Sequence, residues 1–480
     1  MNAEVSANIR MYRLKELGDC FLITFICGQA SSSLLIDCGS FRNIGPSIAR
    51  LKAITAKIEE VLAGQALNVV VGTHQHNDHL SGFVHCETVF RRLKIQHVWL
   101  SWLDDPTDSK AQAVGRAHHN LKLQLIAVRD ILLPKLKGKN RARPIAARSL
   151  EVLDDMLSFF GASAAAAGPP EVPAKGVKIL KSVAQADPTY LRPGQTLDMP
   201  GLPQGSVRVH VLGPPRIEGV GRKDDPLYRP DPRSGESYDV ALASAGLAAT
   251  NFLQALRREK GISDPEEKDF PFNQIYKKNR APSPALRTIM HRYRQSREAW
   301  RTIDDDWLEQ AGALALYLDS FTNNSSLVLA IELVDSGKVL LFAADAQTGN
   351  WDSWKDVPWQ TAGVRTDDLL ARTVFYKVGH HASHNATLVE AFEKMNRPDL
   401  VALIPVHKKD PNITKPNGWK MPAKNLFNRL KEKTDHRVLQ MDDVNPPDCN
   451  PAKDPAKTAW KRVGIKPKIN DLSVEIEIRG

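Results

Sequence analysis

Residues 73–79 read Thr73-His74-Gln75-His76-Asn77-Asp78-His79, and four of these seven side chains can bind a metal. The run follows LNVVV at 67–71, an apolar, largely β-branched segment that reads as a buried strand. Alternate residues of an extended segment point the same way, so His74 and His76 share one direction. Asp78 and His79 come next, at the turn, and aim at a second point. That division suits two adjacent metals, each taking part of the loop. Neutral imidazoles and a carboxylate suit zinc, and also manganese or iron. A polar surface loop rich in histidine is the competing explanation. It is the poorer one, because clustered histidines repel one another once protonated and a metal removes that repulsion.

Outward from this loop, the pattern is strand-rich. IRMYRL, CFLITFIC and SSLLIDCG precede it, separated by GD and GQASS as turns. The spacing of Ile48, Leu51, Ile54, Ile58, Val61 and Leu62 predicts a helix over 46–66. Strand, helix and strand in this order predict an α/β fold. From about residue 110 the pattern turns helical, with a long amphipathic stretch ending near ILLPKL, and 161–176 reads as a flexible connection. Strand signals return at VRVHVLGPP (207–215), at SSLVLAIEL and KVLLFAAD around the turn VDSG, and at TVFYKVGHH and DLVALIPVH. The alternating LSVEIEI predicts an edge strand. The expected organisation is one domain interrupted by insertions: a first half over 1–105, a helical insertion and linker over 106–205, and a strand with an irregular, helical insertion over 206–315. A second half spans 316–445, and a segment with the edge strand spans 446–480.

Hydrophobic content of 42% and charged content of 25% are ordinary for a soluble globular protein. No apolar run reaches the roughly 18–20 residues that span a bilayer. The first residues lack a secretion signal. Five scattered cysteines, an odd number with no CxxC pair, argue against a disulfide framework and a cysteine zinc site. Together these predict a cytoplasmic protein without a membrane partner.

HQHNDH resembles the HxHxDH signature of metallo-β-lactamase-fold hydrolases. LLIDCG, LLFAADA and FYKVGHHASH are similar to further motifs of that family, in the same order. The last of these, with GDCFLI and VHVLGPP, resembles the subgroup that contains the hydrolase domain of the DNA-uptake competence proteins. The likeness covers about 1–100, 205–215 and 320–410. It implies an αββα sandwich carrying a large, mainly helical insertion. It implies metal ligands His74, His76, Asp78, His79, Asp345 and His381, with Asp37 steadying the ligand loop. Catalytic roles fall to Asp78, to His380 as a polar or proton-donating partner, and to Lys377, which either binds phosphate or pairs with Asp345. Two zinc ions sharing Asp345 and a hydroxide are the implied cofactor, with manganese as the substitute. Two departures stand out. The glycine of the family's HHGS motif is Ala382 here, followed by His384. No clear histidine fills the middle motif; His118, His119 and His210 are remote candidates that read better as helix and strand residues.

The net charge of +10 favours an anionic partner. PKLKGKNRARPIAAR concentrates Lys135, Lys137, Lys139, Arg141 and Arg143, and 275–300 interleaves basic and aromatic residues. Such mixing suits phosphate neutralisation with base stacking. The expectation is therefore a phosphodiesterase, specifically a nuclease on DNA or RNA. A hydrolase of a small lactone, thioester or β-lactam-like substrate is the alternative. A third is a silent module that binds a protein partner, or a second copy, through the helical insertion.

Overall fold

The computed structural model describes residues 4–137, 144–161, 172–216, 283–293, 295, 308–416, 418–443 and 455–480. Over these residues the chain is an α/β protein with two mixed sheets. In the first, β1 (Val5–Tyr12), β2 (Cys20–Cys27) and β3 (Ala30–Cys38) form an antiparallel arm. Then β4 (Leu67–Gly72) and β5 (Ile95–Ser101) continue parallel to β3. In the second, β9 (Val328–Leu333) and β10 (Lys338–Phe342) pair antiparallel, and β11 (Thr373–Lys377) and β12 (Val401–Ile404) run parallel to β10. Across the first sheet, β14 (Lys468–Ile469) and β15 (Ser473–Arg479) come ahead of β1 to β5, with β6 (Thr189–Leu191) last. The second runs from β13 (Val438–Gln440) back through β12, β11, β10 and β9 to β8 (Val207–Gly213) and β7 (Thr196–Asp198).

These assignments follow from the side chains. Every residue of β4 is buried, which is why LNVVV reads as a continuous apolar run rather than an alternating one. Burying a valine fully stabilises by about 1.5–3 kcal/mol, so a charge at Val70 would break this strand's fit. Helix α1 (Gly45–Leu62) buries Leu51, Ile54, Ile58 and Leu62 along one stripe. It stops at Ala63, which turns left-handed, four residues short of the predicted end. One hydrophobic core draws on both sheets. Phe21 of β2 meets Phe342 of β10 edge to face, ring centroids 5.8 Å apart.

Two strands fall within the stretch read as helical insertion and linker: β6 (Thr189–Leu191) in the first sheet and β7 (Thr196–Asp198) in the second. They are too short for a periodic signal to emerge. The edge-strand reading of LSVEIEI is corrected. β15 (Ser473–Arg479) lies between β1 and β14 (Lys468–Ile469), because seven residues pair with β1 while a two-residue strand covers the other side.

The chain divides into two compact units. One comprises Met1–Arg116, Ser158–Asp239 and Asp319–Gly480, and holds both sheets. The other comprises Ala117–Leu157 and Val240–Leu318. In it Arg129 is buried and bonded to Asp130 at 2.9 Å. No helix among the described residues is long and apolar enough to cross a membrane. Cys20, Cys27, Cys38 and Cys86 are buried free thiols, and Cys449 lies outside the described residues.

Candidate metal centre

The centre lies at the carboxyl ends of β3, β4, β10 and β11, the usual location for sites in α/β sheets. β4 ends at Gly72, and the chain bends at His74 and Gln75, where the His76 N–H donates to the His74 carbonyl at 3.1 Å, before helix α2 (Asn77–His85) begins; the segment is not extended as the sequence suggests. His76 is its N-cap residue, and Asp78 lies in the first turn, where a carboxylate meets the positive end of the helix. The approach is close. A Cβ on Gly39, just past β3, would lie 2.3 Å from the His79 backbone nitrogen and 2.4 Å from the Asp78 carbonyl carbon. Only glycine allows β3 to end so near α2.

Asp37, the penultimate residue of β3, organises the loop. Its carboxylate accepts from the Thr73 backbone N–H at 2.9 Å, the Thr73 hydroxyl at 2.7 Å and His79 Nδ1 at 2.7 Å. That fixes His79 with Nε2 facing inward, 3.2 Å from Asp345 Oδ2. Asp345 follows β10. Its Oδ1 accepts from Lys377 Nζ at 3.2 Å and from the His380 N–H at 3.1 Å. His381 donates Nδ1–H to the Pro405 carbonyl at 2.7 Å, leaving Nε2 3.0 Å from Asp78 Oδ2 and 3.6 Å from Asp345 Oδ2. Asp78 and His381 are 303 residues apart in sequence. On the other side, His74 Nε2 and His76 Nδ1 lie 3.1 Å apart.

His380, His381 and Ala382 all have positive φ, between 41° and 61°, as do Asp37 and Ala344 beside them. Left-handed backbone costs a non-glycine residue roughly 1–2 kcal/mol. Such strain gathers at sites whose surroundings over-determine it. Here the turn aims His381 at Asp78 and Asp345, and the His380 N–H at Asp345.

Electrostatics divides the histidines. Burial, reinforced by the neighbouring imidazoles, pushes His74 well below its usual value. Burial likewise carries His76 to about 3, although Asp78 opposes it. Burial also opposes charge on His79 and His381, yet the carboxylates around them win. His79 is raised well above its usual value, through Asp345 and Asp37 first, and His381 to about 9, through Asp345 and Asp78. Burial raises Asp319, and Asp78 and Asp345 raise it further. Without a cation, then, the centre stores protons that a bound metal would displace.

The donor set fits a metal. Asp19, His79, Asp345 and His381 each offer an atom, all within 4.8 Å of one another, and all four residues are buried. Asp19 Oδ1, His76 Nε2, Asp78 Oδ1, His79 Nε2 and Asp319 Oδ1 are buried there without a hydrogen-bond partner. Native proteins leave few such atoms unsatisfied, and an ion among them would satisfy several at once.

Each residue named from the sequence can now be placed. His74, His76, Asp78, His79, Asp345 and His381 converge, and Asp37 backs His79. His380 is turned aside: Ser383 Oγ meets its Nδ1 at 2.7 Å and Asn323 Nδ2 its Nε2 at 3.3 Å. Lys377 is 2% exposed and clamped between Asp19 and Asp345, so its ammonium neutralises carboxylates and is withheld from phosphate. His210 sits in β8 (Val207–Gly213) and pairs with Glu332 at 2.9 Å, outside the centre. His118 and His119 belong to the second unit. Lys139, Arg141 and Arg143 lie outside the described residues; Lys135 and Lys137 end a helix, Ser109–Lys137, whose last side chains are not described. Two acids had escaped notice. Asp19 falls in the GD read as a turn, and the resemblance of GDCFLI to the family's opening motif was its one signal. Asp319 had no signal, being one polar residue in the helix Leu308–Asn324.

Aromatic rings wall the His76 side. Phe159 and Phe160 lie 5.2 and 4.9 Å from its ring, and the partly exposed Trp419 stacks on Phe159 at 5.3 Å. Comparison with protein-family models gives no match, and comparison with curated proteins gives none.

Proposed function

We propose that the chain is a metal-dependent hydrolase with the metallo-β-lactamase αββα arrangement, acting on phosphodiester bonds of nucleic acid. The observation that carries the reading is the buried convergence of Asp19, His79, Asp345 and His381, with Asp19 Oδ1 and His79 Nε2 buried there without a hydrogen bond. The motif order along the chain and the mixed sheets that share a core support the fold assignment.

In this reading His74 and His76 would hold one ion, Asp78, His79 and His381 would hold another, and Asp345 would be available to either. Zinc suits these donors, and manganese is the substitute. A bound divalent metal supplies a water of lowered pKa and neutralises charge that develops on the substrate. The protein's own groups do the rest. Asp37 and the Pro405 carbonyl fix the tautomers of His79 and His381. Lys377 offsets the charge of Asp19 and Asp345, which burial would otherwise make costly. His380, pushed down to about 4 by burial first, is neutral near pH 7 and holds one ring proton that it can exchange through Ser383. The net charge of +10 and the stacked rings ending at Trp419 favour a substrate with phosphates and bases.

The test is elemental analysis of protein purified without chelator, followed by activity on DNA, RNA, a chromogenic phosphodiester and a lactone. The expected result is bound transition metal and phosphodiester cleavage that Asp78→Ala and His79→Ala abolish. Metal-free protein that stays inert on metal addition refutes the hydrolase, and cleavage of the lactone alone transfers the assignment to small substrates.

A further inference from the structure

Each histidine of the centre turns one ring nitrogen inward and the other outward. The outward atoms of three are held. His74 Nδ1 lies 3.1 Å from Thr73 Oγ1 and 3.2 Å from Ser326 Oγ. His79 Nδ1 meets Asp37 and His381 Nδ1 meets the Pro405 carbonyl, both at 2.7 Å. His76 is the fourth. Its Nδ1 faces His74 Nε2, so Nε2 is its outward atom, and Nε2 is buried without a hydrogen bond. The Asp319 Oδ1 atom stands 3.7 Å away, and it too is buried without a hydrogen bond. The other Asp319 oxygen is fixed, accepting from Asn323 Nδ2 at 3.1 Å one helical turn further on. Two unsatisfied polar atoms thus face each other within an ångström of bonding distance. A buried donor and a buried acceptor left unpaired are both costly, and closing the remaining gap satisfies the two together.

We propose that Asp319 is the positioning residue of His76. It accepts the Nε2–H, and so leaves the Nδ1 lone pair to share a metal with His74 Nε2. The assignment rests on the metal-centre reading above. It also accounts for the sparse ligand set on this side. With no third histidine beside them among the described residues, ring orientation and basicity set by an outer carboxylate matter more.

Metal affinity measured on the full chain tests this without any substrate. Cobalt(II) or zinc is titrated against a competing chelator, and stoichiometry is checked by elemental analysis. Wild-type protein is expected to bind two ions. Asp319→Ala should weaken the looser one about 10–100-fold, the usual effect of losing such an outer partner, and leave the tighter one unchanged. The retained ion reports that the variant is folded. Asp319→Asn should keep most of the affinity, because its amide oxygen can accept the same proton; it decides the matter if Asp319→Ala loses both ions. Unchanged affinities in Asp319→Ala overturn the assignment alone. An asparagine variant as damaged as the alanine also overturns it, since Asp319 would then act by charge or direct ligation. Wild-type protein that binds no metal overturns the metal centre itself, and this assignment with it.

Discussion

His79 and His381 sit among carboxylates, each with its outer nitrogen bonded at 2.7 Å. His74 and His76, just ahead of His79 in the chain, have looser outer contacts of 3.1 to 3.7 Å. The first pair is raised in pKa and the second lowered, so at neutral pH without metal one side is charged and braced, the other neutral and slack. What differs is how far the fold has already oriented each ring and how much negative charge awaits a cation. Preorganised, acidic surroundings should therefore fill first.

The sharpest way to break the comparison is to remove one histidine from each side. His381→Ala should abolish tight binding, lowering metal affinity at least 100-fold, whereas His76→Ala should spare the tighter ion. Equal losses in an equilibrium titration would show one joint site. Next comes Asp37→Ala, which unties both His79 and Thr73. A loss of about 10–100-fold in the tighter affinity is expected, and an effect confined to the looser ion would reverse the order of sides.

A third experiment probes the brace behind Asp19 and Asp37. Asp410 accepts from Arg42 at 2.8 and 2.9 Å and from the Leu17 N–H at 3.3 Å, and Arg42 also bonds Glu16. These contacts tie down the segment that carries Asp19. Burial raises the Asp410 carboxyl, but Arg42 and the Asn412 N–H hold it below its usual range. A carboxylate lowered on folding stabilises above its unfolded value, near 3.9, and that contribution is lost as pH falls through the folded value. Asp410→Asn should thus cost about 3 kcal/mol in denaturant unfolding at pH 7, with the gap closing below pH 4. A gap independent of pH would mean the pair contributes by shape. The smallest effect belongs to Ala382→Gly. At φ +61° the glycine relieves strain, and a gain of about 1 kcal/mol is expected. A loss instead would show that the methyl group packs usefully in its buried setting.

Much of this was legible in the sequence because it is local. A buried run leading into four donors announces both the strand and the site, and α1 follows from its stripe of Leu51, Ile54 and Ile58. What escaped was set by tertiary contact. Asp319 joins the centre from a helix with no ligand spacing. Lys377 reads as binding phosphate or pairing with Asp345; the pairing is what forms, and only its second partner, Asp19, went unseen. β15 reads as an edge strand because alternation reports one wet face and says nothing about neighbours along the sheet.

The 303-residue separation of Asp78 and His381 has a practical side. A metal held by both closes that span in the native state only. Chelation should accordingly lower the thermal midpoint, since an ion at 100 times its dissociation constant contributes about 2.7 kcal/mol. A fragment clipped before residue 373 would keep the histidine-rich loop yet lose the far wall. In a mixture of intact and nicked chains, tight metal retention would then sort the whole molecules from the broken ones.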